Sequence, residues 1–221
     1  MSARDEVLVV GGTAGIGLGV ADALGERAIV WSRRGGVDAT DRAQVDAAAQ
    51  ALLATRGAPW GLVHTVGDFA EEPLLATAPG TAAQLVASNV TSLLHVVQAV
   101  VPAMQAAGRG RVVLFAAAGA GRPKAMRRAP FYFALKAAVV HLGRSLAAEV
   151  ASSGVTVNVV SPGLIEHPDS HRDSQRRLLP KVPQGRLGTT DDVVGAVLWL
   201  LSESAGYVTG EDLTVDGGLQ L

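Results

Sequence analysis

The sequence predicts a doubly wound α/β fold with a mostly parallel sheet of about seven strands. Short β-rich apolar runs alternate with longer helical patterns along the chain. The first of these runs passes into a glycine-rich turn that opens a helix, and no repeat, linker or low-complexity stretch breaks the alternation. With 221 residues, 48% of them hydrophobic, the chain suffices for one large core and is short for two, so residues 1–221 read as a single domain.

Composition narrows the function classes. A formal net charge of -1 without a long basic run leaves no electrostatic footprint for nucleic acid. The absence of cysteine excludes disulfides and thiol catalysis. The charged start "MSARDE" has no signal-type apolar core after it, and no uninterrupted apolar stretch reads as long enough to cross a membrane. The expectation is a soluble cytoplasmic protein with neither nucleic-acid nor membrane partners.

The first strand is "VLVV", Val7 to Val10, followed directly by "GGTAGIGLGVADALGE". Glycines at 11, 15 and 17 make a G-x-x-x-G-x-G spacing that lets the backbone and the helix N-terminus approach a pyrophosphate; the same spacing also suits close packing of a helix on a strand. The second strand, "AIVW", ends in Ser32-Arg33-Arg34. An acidic residue at this strand end would hold free ribose hydroxyls, whereas two guanidiniums suit a 2′-phosphate, so the expected cofactor is NADP, with NADPH preferred over NADH. Only Gly35 and Gly36 separate those arginines from "VDATD", a short third strand ending near Asp38. Two glycines cannot supply a crossover helix. Either this strand is reached by a tight connection or the stretch is a loop in the sheet plane.

A helix follows over "DRAQVDAAAQALLATRG", then a fourth strand, "GLVHTVG", from Gly61 to Gly67. The long helical pattern from about Thr81 to Ala107 places Asn89 among apolar neighbours, where an asparagine is costly unless bonded, and Pro102 is expected to kink its end. A fifth strand, "RVVLFA", leads into a glycine-rich and then basic loop, Arg122 to Arg128, fit for solvent or for drawing in an anion. "FYFALK" opens the next helix, which runs to about Ser152. The sixth strand, "VTVNVV", ends at Ser161-Pro162-Gly163; residues 164–190 read as a substrate lid, and a helix and the strand "DLTVDGG" finish the chain.

Tyr132 and Lys136 stand four residues apart on their helix, so phenol and ammonium share one face. A nearby ammonium stabilises a phenolate, so the pair is a candidate proton donor whose tyrosine is expected to titrate below its ordinary value. His167 and His171 flank Asp169 without a third strong ligand or a helical frame, so no metal site is expected. His141 lies on a different helical face from Lys136 and reads as a core or interface histidine.

The glycine turn after the first strand, Asn89, Tyr132 with Lys136, Pro162-Gly163 and "YVTGEDLTVDGG" come in the order of the short-chain dehydrogenase/reductase family, which the chain resembles over essentially its whole length. The resemblance implies a Rossmann-type fold and hydride transfer between NADPH and a C=O or C=N carbon of a small molecule. It assigns Gly11, Gly15, Ile16 and Gly17 to the cofactor pyrophosphate, Asp38 to the adenine, and Lys136 to the nicotinamide ribose. Gly67, Pro162, Gly163 and Ile165 would complete the cofactor site, with the Ile165 backbone facing the nicotinamide amide. Tyr132 would exchange the proton, and Asn89 would hold a water in its relay.

The departures from that pattern matter as much. Aligning "GRVVLFAAAGA" on the fifth strand puts Ala117, flanked by Ala116 and Ala118, where the family usually has a serine bonded to the reacting oxygen. Loss of such a donor typically costs about 10²- to 10³-fold in rate. The family's Asn-Asn-Ala-Gly reads His64-Thr65-Val66-Gly67, keeping only the glycine, and the run from Ala117 to Tyr132 is about two residues longer than the family's usual spacing. "VGDF", the extended loop and the "PGLIEHPDS…KVPQGRL" stretch resemble pteridine-reductase-like members, several of which also lack that serine. Two functions follow: a reductase whose substrate needs no serine, or an NADP-binding sensor or assembly partner with a weakened site. Retention of Asn89, Tyr132 and Lys136 together favours the reductase. The apolar surface of the long helices leads us to expect a homodimer or homotetramer.

Overall fold

A computed structural model of the protein describes residues 5–122, 124–166 and 172–221. Six strands, β1 (Val7–Val10), β2 (Ala28–Trp31), β3 (Gly61–His64), β4 (Gly110–Phe115), β5 (Val155–Pro162) and β6 (Asp212–Val215), form one sheet in the order β2-β1-β3-β4-β5-β6. Every neighbouring pair is parallel. The helices are α1 (Gly15–Leu24), α2 (Arg42–Arg56), α3 (Pro79–Val86), α4 (Ser92–Ala106), α5 (Pro130–Val150), α6 (Arg172–Leu178) and α7 (Thr190–Leu201).

Both faces of the sheet are covered, which is why its strands read as unbroken apolar runs rather than alternating ones. On one face α2, α4 and α5 bury Val45, Leu52, Val96, Val100 and Val139 against Leu8, Leu62 and Leu114. On the other, α1 and α7 bury Val20, Leu24, Val193 and Val197 against Val7, Val9 and Val63. The chain leaves β1 in one direction for β2 and returns past it to β3. The sheet order therefore reverses between β1 and β3, and a crevice opens beyond their carboxyl ends.

The sheet has six strands rather than about seven because "VDATD" forms no strand. After β2, Arg33–Gly35 make a 3₁₀ turn and Gly36 adopts a left-handed φ of 85°. Val37 then bonds back to Ser32 O at 3.0 Å. With no crossover helix to carry the chain outward, it runs straight to α2, whose N-terminus Asp41 caps by accepting from Ala43 N and Gln44 N. β2 is therefore the edge strand, and of the two connections open from sequence the structure takes the loop.

The predicted helix over 81–107 is longer and interrupted. α3 and α4 are joined by a π turn, Ala87–Thr91, that contains Asn89, and α4 continues through Pro102 to Ala106. A π turn inside an α-helix commonly marks a functional position. By length and composition the run Pro79–Ala106 is long and apolar enough to cross a membrane, contrary to the sequence expectation. Half of its most apolar window is buried inside the fold, and Val96, Val97, Val100, Val101 and Met104 pack in the core, as in a central helix of an α/β domain.

Candidate active site

A cleft of about 1410 Å³ opens at the carboxyl ends of β1, β3, β4 and β5. Gly11, Gly15, Ile16, Gly17, Arg33, Arg34, Asp38, Gly67, Tyr132, Lys136, Pro162, Gly163 and Ile165 all line it. Asn89 lies beneath the floor, 1% exposed.

The three spaced glycines do different work. A Cβ on Gly17 would fall against the Gly11 carbonyl and 2.5 Å from Thr65 Oγ1, so Gly17 lets α1 press onto the strand ends. Gly11, at φ 93°, has the same neighbour, 2.6 Å from where its Cβ would stand. Gly15, at φ 51°, faces open space. No side chain caps α1 at Ala14, so its first turn presents backbone amides and the positive end of the helix to the cleft. An open helix N-terminus of this kind suits an anion such as a pyrophosphate. Thr65, which the sequence marks only as a departure from the family pattern, donates from Oγ1 to Val10 O at 2.9 Å beside these glycines.

At the far end, Ser32 is buried and accepts from Gly35 N at 3.0 Å, holding the turn that carries Arg33 and Arg34. Neither guanidinium takes part in an ion pair among the described residues. Asp38 turns its carboxylate onto Thr40, accepting from Thr40 N at 2.9 Å and Thr40 Oγ1 at 2.8 Å.

The reacting end is built from four elements. Lys136, 5% exposed, donates from Nζ to Phe115 O at 3.0 Å, and its ammonium lies 5.7 Å from the Tyr132 ring centroid. Asn89 donates from Nδ2 to Asp68 O and Leu85 O, both at 3.0 Å. Its Oδ1 is buried with no hydrogen-bond partner among the described residues. A Cβ at position 67 would stand 2.5 Å from Asn89 Oδ1 and 3.0 Å from Lys136 Nζ, so only glycine fits between them. Tyr132 packs edge-on against Phe69 and Phe133, with centroids 4.9 Å and 5.4 Å away.

Burial sets the electrostatics. It pushes the Tyr132 phenol up to about 12 and the Lys136 ammonium down to about 8. The expected lowering of Tyr132 is absent, because desolvation of the phenolate outweighs an ammonium whose hydrogen bond goes to Phe115 O. His64, 2% exposed at the end of β3, is pushed down to about 3, first by burial and then by the Lys136 charge.

Ala116, Ala117 and Ala118 are buried and form the cleft wall beyond β4, so no side-chain hydroxyl stands there. The basic loop shapes the mouth. Lys124 donates to Gln220 Oε1 at 2.7 Å, Arg122 bonds Gln220 O, and Lys124, Arg127 and Arg128 line the opening. Gln220 and Gln175, whose Nε2 donates to Ile165 O at 2.7 Å, were not singled out from sequence; polar residues far from any motif give no signal there. Of the expected lid, α6 and the bridge between Ile165 and Gly188 are described. His167, Asp169 and His171 lie outside the described residues. His141 is exposed on α5, so it is not a core residue.

The residues fit a nicotinamide dinucleotide: open helix amides at Gly15, guanidiniums without an ion pair among the described residues at one end, and at the other Lys136 with an acceptor, Asn89 Oδ1, that has no hydrogen-bond partner among them. A family model described as Enoyl-(Acyl carrier protein) reductase matches residues 19–220. The 3-oxoacyl-[acyl-carrier-protein] reductase FabG of Escherichia coli is 30% identical over 97% of this chain and 96% of its own. The 2-(S)-hydroxypropyl-CoM dehydrogenase 3 of Xanthobacter autotrophicus is 32% identical over 98% and 97%. A short-chain type dehydrogenase/reductase from Mycobacterium ulcerans has the same fold at TM-score 0.89 and 26% identity, covering 99% of this chain and 91% of that one. The structure titled ElxO with NADP bound shares the fold at TM-score 0.87 and 23% identity, covering 97% and 98%. A family match across residues 19–220, together with relatives of this identity aligned over nearly their full length, establishes that the protein belongs to the short-chain dehydrogenase/reductase family of oxidoreductases.

Proposed function

We propose that the protein is an NADPH-dependent reductase that transfers hydride to a C=O or C=N carbon of a small molecule, with Tyr132 giving the proton. The observation that carries this reading is the convergence at Gly67, where Asn89 Oδ1 and Lys136 Nζ flank a position that admits no side chain, next to Tyr132. A protein that no longer turned over would have no use for two buried polar groups held this closely.

The nicotinamide cofactor supplies the hydride. The chain's own residues do the rest. The α1 amides around Gly15 hold the pyrophosphate, Arg33 and Arg34 take the 2′-phosphate, and Lys136 holds the ribose near Tyr132. With its phenol pushed up to about 12, Tyr132 is protonated at neutral pH and acts as the acid in the reducing direction. Asn89 Oδ1 offers an acceptor on the relay that restores its proton. The alanine wall favours an acceptor whose developing charge falls on nitrogen and is met by Tyr132 alone. A pteridine-like flat ring suits the Phe69 and Tyr132 edge-on pair, and the cations at the mouth favour a substrate with an anionic group. The exposed apolar residues Val86, Leu94 and Trp199 on α3, α4 and α7 support a homodimer or homotetramer. The same alanines support the second reading, a cofactor-binding sensor with weakened turnover.

Fluorescence titration with NADPH and NADH, followed by NADPH oxidation against carbonyl, imine and dihydropterin compounds, tests these readings. We expect NADPH to bind more tightly, Arg33→Ala to shrink that preference, and Tyr132→Phe to abolish turnover. Binding without turnover on any compound supports the sensor. No binding of either nucleotide overturns both.

A further inference from the structure

One buried titratable group is left unused by this chemistry. His64 sits at the end of β3, and its Nε2 lies 3.2 Å from Ser92 Oγ. Ser92 Oγ in turn lies 2.6 Å from Ser88 O. A carbonyl only accepts and a serine carries one hydroxyl proton, so that proton goes to Ser88 O. The imidazole must therefore donate from Nε2–H to Ser92, which fixes its tautomer. Burial keeps the ring neutral, so this donor role holds at working pH.

Ser88 and Asn89 lie in the π turn, and Ser92 follows it directly. Such a turn takes carbonyls out of the regular helical ladder, and buried carbonyls need partners. Ser92 serves the one at Ser88, and Asn89 Nδ2 serves the one at Leu85 at 3.0 Å. The side chain of Ser88 faces the other way, accepting from Asp68 N at 3.1 Å and from Asn89 Nδ2 at 3.3 Å. With its amide so committed, Asn89 can aim only its Oδ1 toward Gly67 and Lys136. We propose that His64 is a positioning residue for Asn89: by donating to Ser92 it locks the π turn and fixes where Asn89 Oδ1 meets the Lys136 end of the cleft. The consequence for turnover rests on the reductase reading; the consequence for the turn does not.

Three variants test it. His64→Met keeps bulk and loses the donor, His64→Gln offers an amide donor of similar reach, and Ser92→Ala removes the intermediary. His64→Met should lower kcat roughly 10-fold with KM for NADPH within about 2-fold, since the cofactor cradle is untouched. His64→Gln should recover most of that loss. Ser92→Ala should cost about as much as His64→Met, and the double variant little more, because both act through one contact. Without turnover, nitrogen NMR of the parent should show a protonated Nε2 and a bare Nδ1 from about pH 5 to about pH 9. Amide hydrogen exchange over 87–92 should quicken in His64→Met and stay near the parent in His64→Gln. Parent kcat in His64→Met, equal loss in His64→Gln, or unchanged exchange over 87–92 would each overturn the proposal. A parent that neither binds nor oxidises NADPH overturns the reductase reading instead, and the tautomer and exchange measurements still decide the role of His64.

Discussion

Lys136 Nζ donates to the carbonyl of Phe115, the last residue of β4, at 3.0 Å, so the sheet itself holds the ammonium at the cleft floor. This bond partly offsets the cost of burying a charge. The cost still shows in the titration, which burial moves from 10.5 to about 8. Between those values the unfolded chain binds a proton that the folded chain does not, so this group makes stability rise with pH across that window. Below about pH 8 both states are protonated and the full penalty applies. Lys136→Met should therefore gain stability relative to the parent at pH 7 and lose that advantage by about pH 10.5, a change on the order of 1–3 kcal/mol. Urea midpoints at the two pH values measure it. A difference that does not change with pH would show that the buried ammonium carries no such penalty.

Ala117 lines the cleft beyond β4 and is 9% exposed; under the proposed function a hydroxyl there would face the reacting oxygen. A serine differs by one oxygen, so Ala117→Ser needs little rearrangement and adds a donor. Such a donor is worth about 10²-fold or more when the charge develops on oxygen. Ketone reduction should rise by at least about 10-fold, while reduction of a C=N bond changes little. Equal effects on both would mean that the hydroxyl does not reach the reacting atom.

The two glycines of the α1 turn separate folding from binding. In Gly17→Ala the new methyl meets backbone and the Thr65 hydroxyl, so the helix must shift, at about 1–3 kcal/mol of stability. In Gly15→Ala the methyl meets nothing, and only the left-handed φ is penalised, at about 1 kcal/mol, while the methyl projects into the open space that the proposed function assigns to the pyrophosphate. Thermal unfolding should separate the pair in one order and NADPH titration in the other, with Gly15→Ala the weaker binder per folded molecule. The same ranking in both measurements would mean that position 15 acts only through stability.

Those glycines also show what a sequence can and cannot reveal. Their spacing was readable, but the pattern could not say that Gly17 packs tightly while Gly15 faces open space, because the packing at Gly17 depends on Thr65, 48 positions further along the chain. The strands around the core were legible because burial on both faces writes them as apolar runs. The missing strand at Val37 and Asp38 was harder: a run that short reads the same as a turn, and Ser32, whose bonds hold the turn, is unremarkable in the sequence. Asn89 stood out as a costly residue in an apolar helix. Its π turn did not, since the bonds that allow it come from His64, Ser92 and Asp68, and none of these has a periodicity to betray it.

The mouth of the cleft carries a charge excess that the whole-chain balance hides. Among the described side chains at this mouth, Lys124, Arg127, Arg128, Arg177 and Lys181 stand against the carboxylates of Asp68 and Glu71. Five cations against two anions leave an excess of three, on a protein of net charge -1. Glu71 is engaged by Arg177 at 3.1 Å and lies 3.8 Å from Arg128, and Asp68 accepts from the Gln84 amide at 3.0 Å. A concave site lined by one sign concentrates ligands of the other, and salt weakens the effect. At saturating NADPH, kcat/KM for a carboxylate- or phosphate-bearing substrate should fall several-fold as salt rises from about 0.05 M to about 0.5 M, while a neutral analogue is nearly indifferent. The double substitution Arg127→Glu with Lys181→Glu should reproduce most of that loss at low salt and flatten the salt dependence, leaving kcat within about 2-fold, because neither residue touches the reacting atoms. If neutral and anionic substrates respond alike to salt and to the substitutions, the mouth cations stabilise the loop and take no part in selecting the substrate.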